Sequence, residues 1–514
     1  MASLHHTPLR ARLALKYAAR VQEQFVCKRC LHQRQQQPAP KPWERFKAKQ
    51  QTPFLRAFKT PDRLLLRTQS SAPSAASPTA SSPLGALSQR ITHRPPPHAS
   101  STTSSTTSSS SFPDRSSPAV GYFLLASAAS VFGIVVFGGL TRLTESGLSI
   151  TEWRPVTGSF PPTTPEAWEA EFALYRLSPE FKMLNSRMNV DEFKQIYWME
   201  WGHRLWGRMV GLTFLLPTAY FILRRRVDKR MAGRLLGIGS LIGFQGVIGW
   251  WMVKSGLKDD LLETGSHPRV SQYRLTAHLG TAFLAYLAML WNGTLVLRES
   301  RLLANPTHSL QSLLTLRDPI LRPFRRALTV LAALTFTTAL SGALVAGLDA
   351  GLVYNDFPWM GRPNLLPPSR ELLDPFYSHT PSHADILWRN ICENPVLAQL
   401  DHRLLATTTF SAILALAAYS RFSPATRALL PPNAKTAVRA VVGLACLQVT
   451  MGITTLWYLV PTPLAAAHQA GALALLSGVL VLGSRVWVPR RTFALVRQAA
   501  KLGESRAKAG RIRA

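Results

Sequence analysis

Eight stretches of the chain are almost uniformly apolar and long enough to cross a lipid bilayer. A membrane-spanning helix needs about 20 predominantly apolar residues. The stretches occupy positions 119–140, 203–223, 233–254, 274–297, 327–348, 399–419, 436–459 and 464–487. The helix-breaking sequence VPTP at 460–463 separates the last two. The pattern therefore predicts an all-α integral membrane protein with eight transmembrane helices.

Short motifs of the first four spans recur in the last four. The pairs are HRLWG and HRLLA from positions 203 and 402, QGVIG and QVTMG from 245 and 448, and LTAHLGTA and LAAAHQAGA from 275 and 464. Because each copy contains four spans, both copies insert in the same direction, which places a pseudo-two-fold axis along the membrane normal. We predict two repeated four-helix bundles, at 119–297 and 327–487, joined by a matrix-side linker at 298–326.

Most of the formal net charge of +32 lies outside the apolar region. Residues 1–110 contain 17 lysines and arginines against three acids, and the segment from Arg485 to the end contains nine against one. A nucleic-acid-binding protein carries such charge on a folded surface, among aromatic residues, whereas here the charge flanks membrane spans. Nucleic acid is therefore not an expected partner.

The first 118 residues are expected to be a leader segment and not part of the fold. The opening sequence MASLHHTPLRARLALKYAARVQ is rich in Arg and Ala and free of acids, which is typical of a mitochondrial transit peptide. Ser, Thr, Pro and Ala dominate residues 69–118, a composition typical of disorder. The pair Cys27 and Cys30 lies in the leader without a second pair, and Leu31 stands where a covalent haem site needs histidine. We expect no site there.

Positive charge in the loops predicts the orientation. The loops after spans two, four and six are basic, as is the tail at 488–514, while the loops after spans one, three and five are mixed or acidic. An excess of Lys and Arg marks the side from which a membrane protein inserts. With a mitochondrial leader, both termini are expected in the matrix. The long loops at 141–202 and 349–398 would then face the intermembrane space.

Only four of the thirteen histidines fall in the spans, and they are His203, His278, His402 and His468. Each begins an even-numbered span, so all four are expected near the intermembrane-space side, two in each bundle. A single histidine is more often a satisfied core residue, but packing does not explain two at related positions in each copy. Paired neutral imidazoles on facing helices suit bis-histidyl haem ligation. Zinc, which needs three or four protein ligands, and a proton relay are the alternatives.

Arginines and tryptophans lie close to these histidines. Arg204, Arg208 and Arg403 can either pair with haem propionates or extend to the lipid headgroups. The tryptophans either line a pocket or form an interfacial belt; they are Trp201, Trp206, Trp250 and Trp251.

The two copies differ three residues before the first histidine of each, where Glu200 in the first copy corresponds to Gln399 in the second. Residues three apart share a face of a helix, so Glu200 is expected to point into the site of His203. An acid in one site and a neutral amide in the other favour proton-coupled chemistry in the first half and electron transfer in the second. The alternative is an interfacial carboxylate paired with Arg204 or Arg208.

The chain resembles haem A synthase, in its mitochondrial form, over roughly residues 119–487. The resemblance rests on LTRLTESGLSITEWRPVTGSFPP, YWMEWGHRLWGR, AGLDAGLVYNDFPWMG and the four histidines. It implies an internally duplicated, eight-span enzyme of the mitochondrial inner membrane. Such an enzyme oxidises a porphyrin methyl group of haem O to a formyl group, giving haem A for cytochrome c oxidase assembly.

The resemblance also implies roles for individual residues. His402 and His468 would ligate a haem b cofactor, His203 and His278 would hold the haem O substrate, and Glu200 would be the catalytic carboxylate. The implied partners are a ferredoxin and its reductase as electron source, with haem O synthase, cytochrome c oxidase assembly factors and a second copy of the chain as further candidates. Many bacterial members carry a cysteine pair in the first outer loop, and residues 141–202 contain none.

Two other classes of function are compatible with the sequence. One is a two-haem membrane cytochrome that transfers electrons without modifying haem. The other is a transporter, because parallel repeats are common in transporters. Identifying the porphyrins extracted from the purified protein distinguishes all three.

Overall fold

The computed structural model describes residues 112–258 and 268–513, with side chains described as far as residue 505. All of these residues belong to one compact unit. The predicted transit peptide, the CKRC motif and nearly all of the Ser/Thr/Pro-rich segment lie outside the described residues.

Fifteen α-helices make up most of the described part of the chain, in which no β-strand occurs. In chain order they are α1 (Pro118–Leu143), α2 (Pro165–Arg176), α3 (Pro179–Met183), α4 (Val190–Leu223), α5 (Lys229–Gly256), α6 (Gln272–Ala304), α7 (Pro306–Arg317), α8 (Arg322–Gly347), α9 (Ser369–Leu372), α10 (Ile386–Glu393), α11 (Pro395–Phe422), α12 (Pro424–Leu429), α13 (Pro432–Trp457), α14 (Thr462–Val486) and α15 (Arg490–Arg513). Short 3-10 helices occur at Thr157–Ser159, Pro319–Leu321, Ala350–Leu352 and Pro375–Tyr377.

Eight helices are long and apolar enough to cross a membrane, which confirms the predicted all-α membrane class. They are α1, α4, α5, α6, α8, α11, α13 and α14. The largest difference from prediction is α4, which begins at Val190 and not at 203, because Asn189 and Glu192 form a capping box there. Its 34 residues span about 51 Å, whereas the hydrocarbon core is about 30 Å thick. The first turns of α4 therefore extend beyond the bilayer.

The four membrane-spanning helices of each half form a closed bundle, and they pack on one another in the same order in both halves. In the first half, α1 packs on α4, α4 on α5, α5 on α6, and α6 back on α1. In the second half, α8 packs on α11, α11 on α13, α13 on α14, and α14 back on α8. The halves meet where α6 packs on α8, α14 on α1, and α6 on α14. Two parallel copies related by a two-fold axis require this pairing, although the axis itself stays a prediction.

The two hydrophobic cores share α14. One core joins Leu124 of α1, Phe214 of α4 and Met289 of α6 to Leu473, which comes from α14 in the second half. The other core is formed by α8, α11, α13 and α14 with the preceding turn at Leu321. Packing in the first half therefore depends on a helix of the second.

The predicted linker and basic tail are largely helical. The linker contains α7, and the tail contains α15, whose Phe493 and Val496 pack on Leu313 of α7. Arg491 at the start of α15 forms an ion pair at 2.8 Å with Asp228, the residue that caps α5. The start of the tail is thus docked on the same side as the linker.

A small aromatic cap covers the opposite end of α4. This outer cap, residues 144–189, contains α2 and α3 and packs on the first turns of α4. Phe172 and Tyr175 of the cap stack near Phe193 of α4, with ring centroids 5.0 and 5.3 Å away. Tyr197 extends the cluster one turn further, at 5.7 Å from Phe193. These contacts explain why α4 continues beyond its apolar stretch.

Glu180 of α3 is a buried acid within the outer cap. Its Oε1 accepts hydrogen bonds from the Tyr175 hydroxyl at 3.1 Å and from the Asn185 amide at 3.4 Å. Removal from water raises the pKa of Glu180 to about 8, and the negative charges of Glu145 and Glu200 act in the same direction. The folded cap therefore holds Glu180 in its neutral form at neutral pH.

We expect the outer cap to lose stability as the pH rises from about 5 towards 8. The folded carboxyl keeps its proton up to about pH 8, while the unfolded one releases it near 4.5. Between these values the unfolded state binds fewer protons, so rising pH favours unfolding. The rate of trypsin cleavage in the cap should therefore increase over this range in the wild type, and much less in Glu180→Gln.

Glu169→Gln is the matched control, because Glu169 lies in the same cap with its side chain 53% exposed. It should show the wild-type pH dependence. Equal pH slopes for the wild type and Glu180→Gln would contradict the prediction.

Candidate functional site

The four intramembrane histidines lie on the even-numbered spans, at α4, α6, α11 and α14. His278, His402 and His468 are about two turns from the starts of their helices, at 3.6 residues per turn. His203 was also expected near the start of its helix. It lies more than three turns into α4, because α4 begins outside the bilayer.

Each histidine ring packs on a glycine of the preceding odd-numbered span. The pairs are His203 on Gly138, His278 on Gly249, His402 on Gly342, and His468 on Gly452. A β-carbon at Gly138 would lie 2.7 Å from Nε2 of His203, and the other three would lie 2.9 to 3.1 Å from a ring carbon. A β-carbon at Gly138 or Gly452 would force the ring to shift, and one at Gly249 or Gly342 would make a tight contact with it, so glycine favours this close approach of helices.

Polar side chains hold three of the rings at Nδ1. Nε2 of Gln245 lies 3.1 Å from Nδ1 of His278, and Gln448 makes the same 3.1 Å contact with His468. Each glutamine also donates to the backbone carbonyl of its histidine. In the second half, the Ser341 hydroxyl lies 2.8 Å from Nδ1 of His402. These contacts at Nδ1 fix the orientation of the three rings.

The rings differ in their surroundings between the halves. In the second half, the rings of His402 and His468 approach edge to face, with centroids 6.4 Å apart and planes at 85°. In the first half, His203 stacks on Phe137 of α1 at 6.5 Å, with planes 15° apart. The second half therefore brings its two imidazoles together directly.

Glu200 is buried and fully hydrogen bonded. Its Oε1 accepts from Nε of Arg204 at 2.9 Å and from Nη2 at 2.6 Å. Its Oε2 accepts from the Ser149 hydroxyl at 2.7 Å and from the Ile150 amide at 2.8 Å. Glu200 thus forms the ion pair with Arg204 that was part of the alternative interpretation from the sequence. The pair joins α4 to the beginning of the outer loop.

The corresponding residues of the second half bind the other outer loop. Nε2 of Gln399 donates to the carbonyl of Tyr354 at 2.9 Å. Nη2 of Arg403 donates to the same carbonyl at 2.8 Å, and Nη1 donates to that of Trp359 at 3.1 Å. Oε1 of Gln399 and Nε of Arg403 are buried without a hydrogen-bond partner. The outer end of this half therefore contains a half-buried arginine with one unpartnered donor atom.

Arg208 also contacts the first outer loop. It donates to the carbonyls of Pro155 and Arg154, each at 2.9 Å, while its Nη1 is buried without a partner. None of the three predicted arginines merely extends to the membrane surface, because all three bind loop carbonyls.

The four tryptophans lie in three different environments. Trp206 lies in the first bundle, where its ring nitrogen donates to Ser130 at 3.1 Å. Trp250 and Trp251 are exposed at 36% and 43%, as residues of an interfacial belt would be. Trp201 packs beside the aromatic cap, and its ring nitrogen is buried without a partner.

The residues present fit a porphyrin with two axial imidazoles. Each bundle supplies two histidines beside glycine, and unpartnered arginine atoms are available for carboxylates at Arg208 and Arg403. Zinc lacks support, because nowhere in residues 112–258 and 268–513 do three or more His, Cys, Asp or Glu side chains converge on a metal site.

Several residues of the site escaped sequence reasoning. Gln245 and Gln448 were recognised only as parts of a repeat, although their recurrence beside the histidine helices was a usable signal. Ser149 and Ile150 carry no sequence signal, because their contact with Glu200 joins residues about 50 positions apart.

Comparison with known proteins gives consistent matches. The family profile COX15-CtaA, described as cytochrome oxidase assembly protein, matches residues 121–480. The Heme A synthase COX15 of Saccharomyces cerevisiae is 49% identical, over 73% of this chain and 77% of that protein. The Heme A synthase COX15 of Homo sapiens is 46% identical, over 72% of this chain and 84% of that protein.

A third relative is a fusion protein. The Heme A synthase-mitochondrial ferredoxin fusion protein of Schizosaccharomyces pombe is 48% identical over 72% of this chain, and the match covers 60% of that protein.

Substitution of a ring-packed glycine should displace His468, which is a predicted haem ligand of the second half. In Gly452→Val the new side chain would overlap His468, where even a β-carbon comes within 2.9 Å of the ring. Overpacking costs about 1–3 kcal/mol, so we expect about a 10- to 100-fold loss of haem affinity. The measurement is the haem content of the purified protein by optical spectroscopy.

Gly443→Val is the matched control, because Gly443 lies on the same helix with nothing within 4 Å of its β-carbon position. It should retain wild-type haem content. Equal haem content in the two variants would contradict the role of Gly452.

Proposed function

The chain belongs to the COX15-CtaA family of cytochrome oxidase assembly proteins, and from this we propose that it is a haem A synthase. It is an oxidoreductase that converts a porphyrin methyl group of haem O to a formyl group, giving haem A for cytochrome c oxidase assembly. Two successive two-electron oxidations convert the methyl group to an alcohol and then to a hydrated aldehyde, and loss of water leaves the formyl group. Each oxidation adds one oxygen atom, from dioxygen or water, and needs an external oxidant.

The observation that carries the proposal is the duplicated set of buried histidines packed on glycines. A haem-modifying enzyme with a haem cofactor needs two sites, and each bundle provides two imidazoles. Three of these rings are held at Nδ1 by Gln245, Gln448 and Ser341.

We assign the substrate to the first half and the cofactor to the second. His203 and His278 hold haem O, and His402 and His468 hold haem b. The difference between Glu200 and Gln399 supports this assignment, because only the first half has an acid at this position. When bound, the haem b supplies one-electron redox chemistry.

Glu200 is the residue proposed to handle protons. In the described conformation its carboxylate forms an ion pair with Arg204 at 2.6 Å. A proton can arrive at Oε2 only by replacing a hydrogen bond from Ser149 or Ile150. The Ser149 hydroxyl is suited to this transfer, since it can both donate and accept. Arg204 keeps the carboxylate oriented meanwhile.

The chain is a multi-pass mitochondrial membrane protein. We propose that it lies in the inner membrane, with both termini in the matrix, because the basic loops and tail share one side. A ferredoxin with its reductase is the proposed electron source, which the ferredoxin fusion in a relative supports. Haem O synthase as supplier and cytochrome c oxidase assembly factors as recipients are the further partners that the reaction implies.

Glu200→Gln tests the catalytic role. The amide cannot take up a proton, so haem A formation from haem O should fall by about 10²- to 10⁴-fold, the usual contribution of a general acid–base group. Haem b should remain bound, because Glu200 lies in the other half. Extraction and chromatography of the haems provide the measurement.

Asp191→Asn is the control, since Asp191 lies on the same helix but is exposed beside Lys194. It should form haem A normally. Normal haem A formation by Glu200→Gln would refute the catalytic role, and a wild-type protein without haem O or haem A would point to the electron-transfer cytochrome instead.

His402→Ala tests the assignment of halves. Loss of one axial ligand should abolish the low-spin bis-histidyl spectrum of haem b, while haem O binding at His203 and His278 remains. Low-temperature optical and electron paramagnetic resonance spectra distinguish the two haems. An intact bis-histidyl haem b spectrum in this variant would refute the assignment.

A further inference from the structure

The two halves bind their outer loops with equivalent pairs of side chains. In the first half, Glu200 and Arg204 hold the loop at Ile150. In the second half, Gln399 and Arg403 hold the other loop at Tyr354. In each case the arginine donates from Nη2 to a loop carbonyl, at 2.7 and 2.8 Å respectively. The pairs therefore share their structural role.

The pairs differ in charge and in completeness. Arg204 uses Nε and Nη2 on the carboxylate of Glu200, so the first pair is neutral and leaves no free donor facing it. In the second pair Gln399 is uncharged, and Nε of Arg403 is buried without a partner. The acid that influences Arg403 electrostatically, Asp356, is itself paired with Arg362 at 3.3 Å. The second pair therefore carries one unneutralised positive charge.

The first half has its unneutralised arginine one turn further along the helix. Arg208 forms no ion pair among the described residues, and its Nη1 is buried without a partner. The corresponding position of the second half is Thr407, which bonds only to its own helix. Each half thus presents one half-buried arginine that has a buried free donor atom and no ion pair within the described part of the chain, Arg208 in the first and Arg403 in the second. Arg142 of α1 also has a free Nε, but it pairs with Asp349 at 3.1 Å.

A buried cation with a free donor is costly unless an acceptor, best an anion, meets it. The porphyrins assigned to the two halves each carry two propionate carboxylates, and arginine is the side chain best suited to such groups. We propose that the exchange of Glu200 for Gln399 determines which arginine binds haem propionate: Arg403 in the second half, and Arg208 in the first. Arg204 does not bind propionate, because its charge is neutralised by Glu200.

This inference rests on the proposed function, and it assigns a second role to Glu200 and Gln399. The acid is available for proton chemistry in the first half because another arginine binds the substrate carboxylates. The amide in the second half keeps Arg403 free for the cofactor. A positioning role for Gln399 follows, since it acts through Arg403 and not on the haem directly.

Gln399→Glu in the full-length protein is the decisive variant. The new carboxylate should pair with Nε of Arg403, as Glu200 pairs with Arg204. Loss of a charge-assisted hydrogen bond to propionate should speed haem b transfer to excess apomyoglobin about tenfold or more. The added negative charge should also lower the haem b midpoint potential. A purely structural role would strengthen the loop contact and leave the rate of haem b release unchanged.

Arg403→Lys supports the interpretation if the glutamate variant folds poorly, because lysine keeps the charge and loses Nε. Haem b release should be faster than in the wild type but slower than in Gln399→Glu. Arg204→Gln is the matched control, and haem b release should match the wild type. Unchanged haem b release in both Gln399→Glu and Arg403→Lys would overturn the proposal for the second half.

The first half is tested with haem O as the probe. Arg208→Gln should weaken haem O binding about tenfold or more, with haem b retained. Glu200→Gln frees Arg204 and should bind haem O at least as tightly as the wild type, although it does not convert it. Unchanged haem O affinity in Arg208→Gln would overturn the assignment. If the wild type forms haem A but the variants do not show these binding changes, only the arginine assignment is refuted. If the wild type forms no haem A, the proposed function is refuted.

Discussion

The close approach of an imidazole ring to a glycine sets the geometry of both bundles. Four times, a ring on an even-numbered span occupies the space that a β-carbon of the preceding odd-numbered span would fill. The interaction fixes helix separation and ring position together, because neither partner can move towards the other. It also explains why polar aromatic side chains are tolerated at membrane depth. One edge of each ring lies close to a glycine, and in three cases a neighbouring side chain contacts Nδ1.

The outer loops are built onto these sites and are not independent of them. The residue directly after His203 and the residue directly after His402 are both arginines, and both bind loop carbonyls. A helix turn that carries a candidate ligand therefore also anchors the loop above it. In the first half, Glu200 adds a carboxylate to this anchor, and the buried acid Glu180 lies within its electrostatic influence. Loop position and site charge are consequently linked, so a change in one is transmitted to the other.

Sequence reasoning was most successful where a residue's environment is set by the membrane alone. Apolar length identified the spans, and histidine is rare enough in lipid for four of them to reveal the candidate ligands. Sequence reasoning failed where tertiary contacts determine the local structure. The start of α4 depends on aromatic packing by the outer cap, and the ion pair of Glu200 depends on a loop far away in sequence. Gln245 lies between these cases, because its repeat partner was visible but its contact with histidine was not.

The seam between the halves joins the two sites through consecutive residues. Gly138 of α1 lies against His203, and Gly139, the next residue, lies against the side chain of Gln469. Gln469 directly follows His468 on α14 and donates to the backbone of α1 at 2.9 Å. The corresponding position of α6 is a leucine, which can form no such hydrogen bond. Among the described residues, the hydrogen bond of Gln469 to α1 therefore has no counterpart at the related position of α6. Through α1, it connects the neighbour of His468 to the glycine that packs on His203.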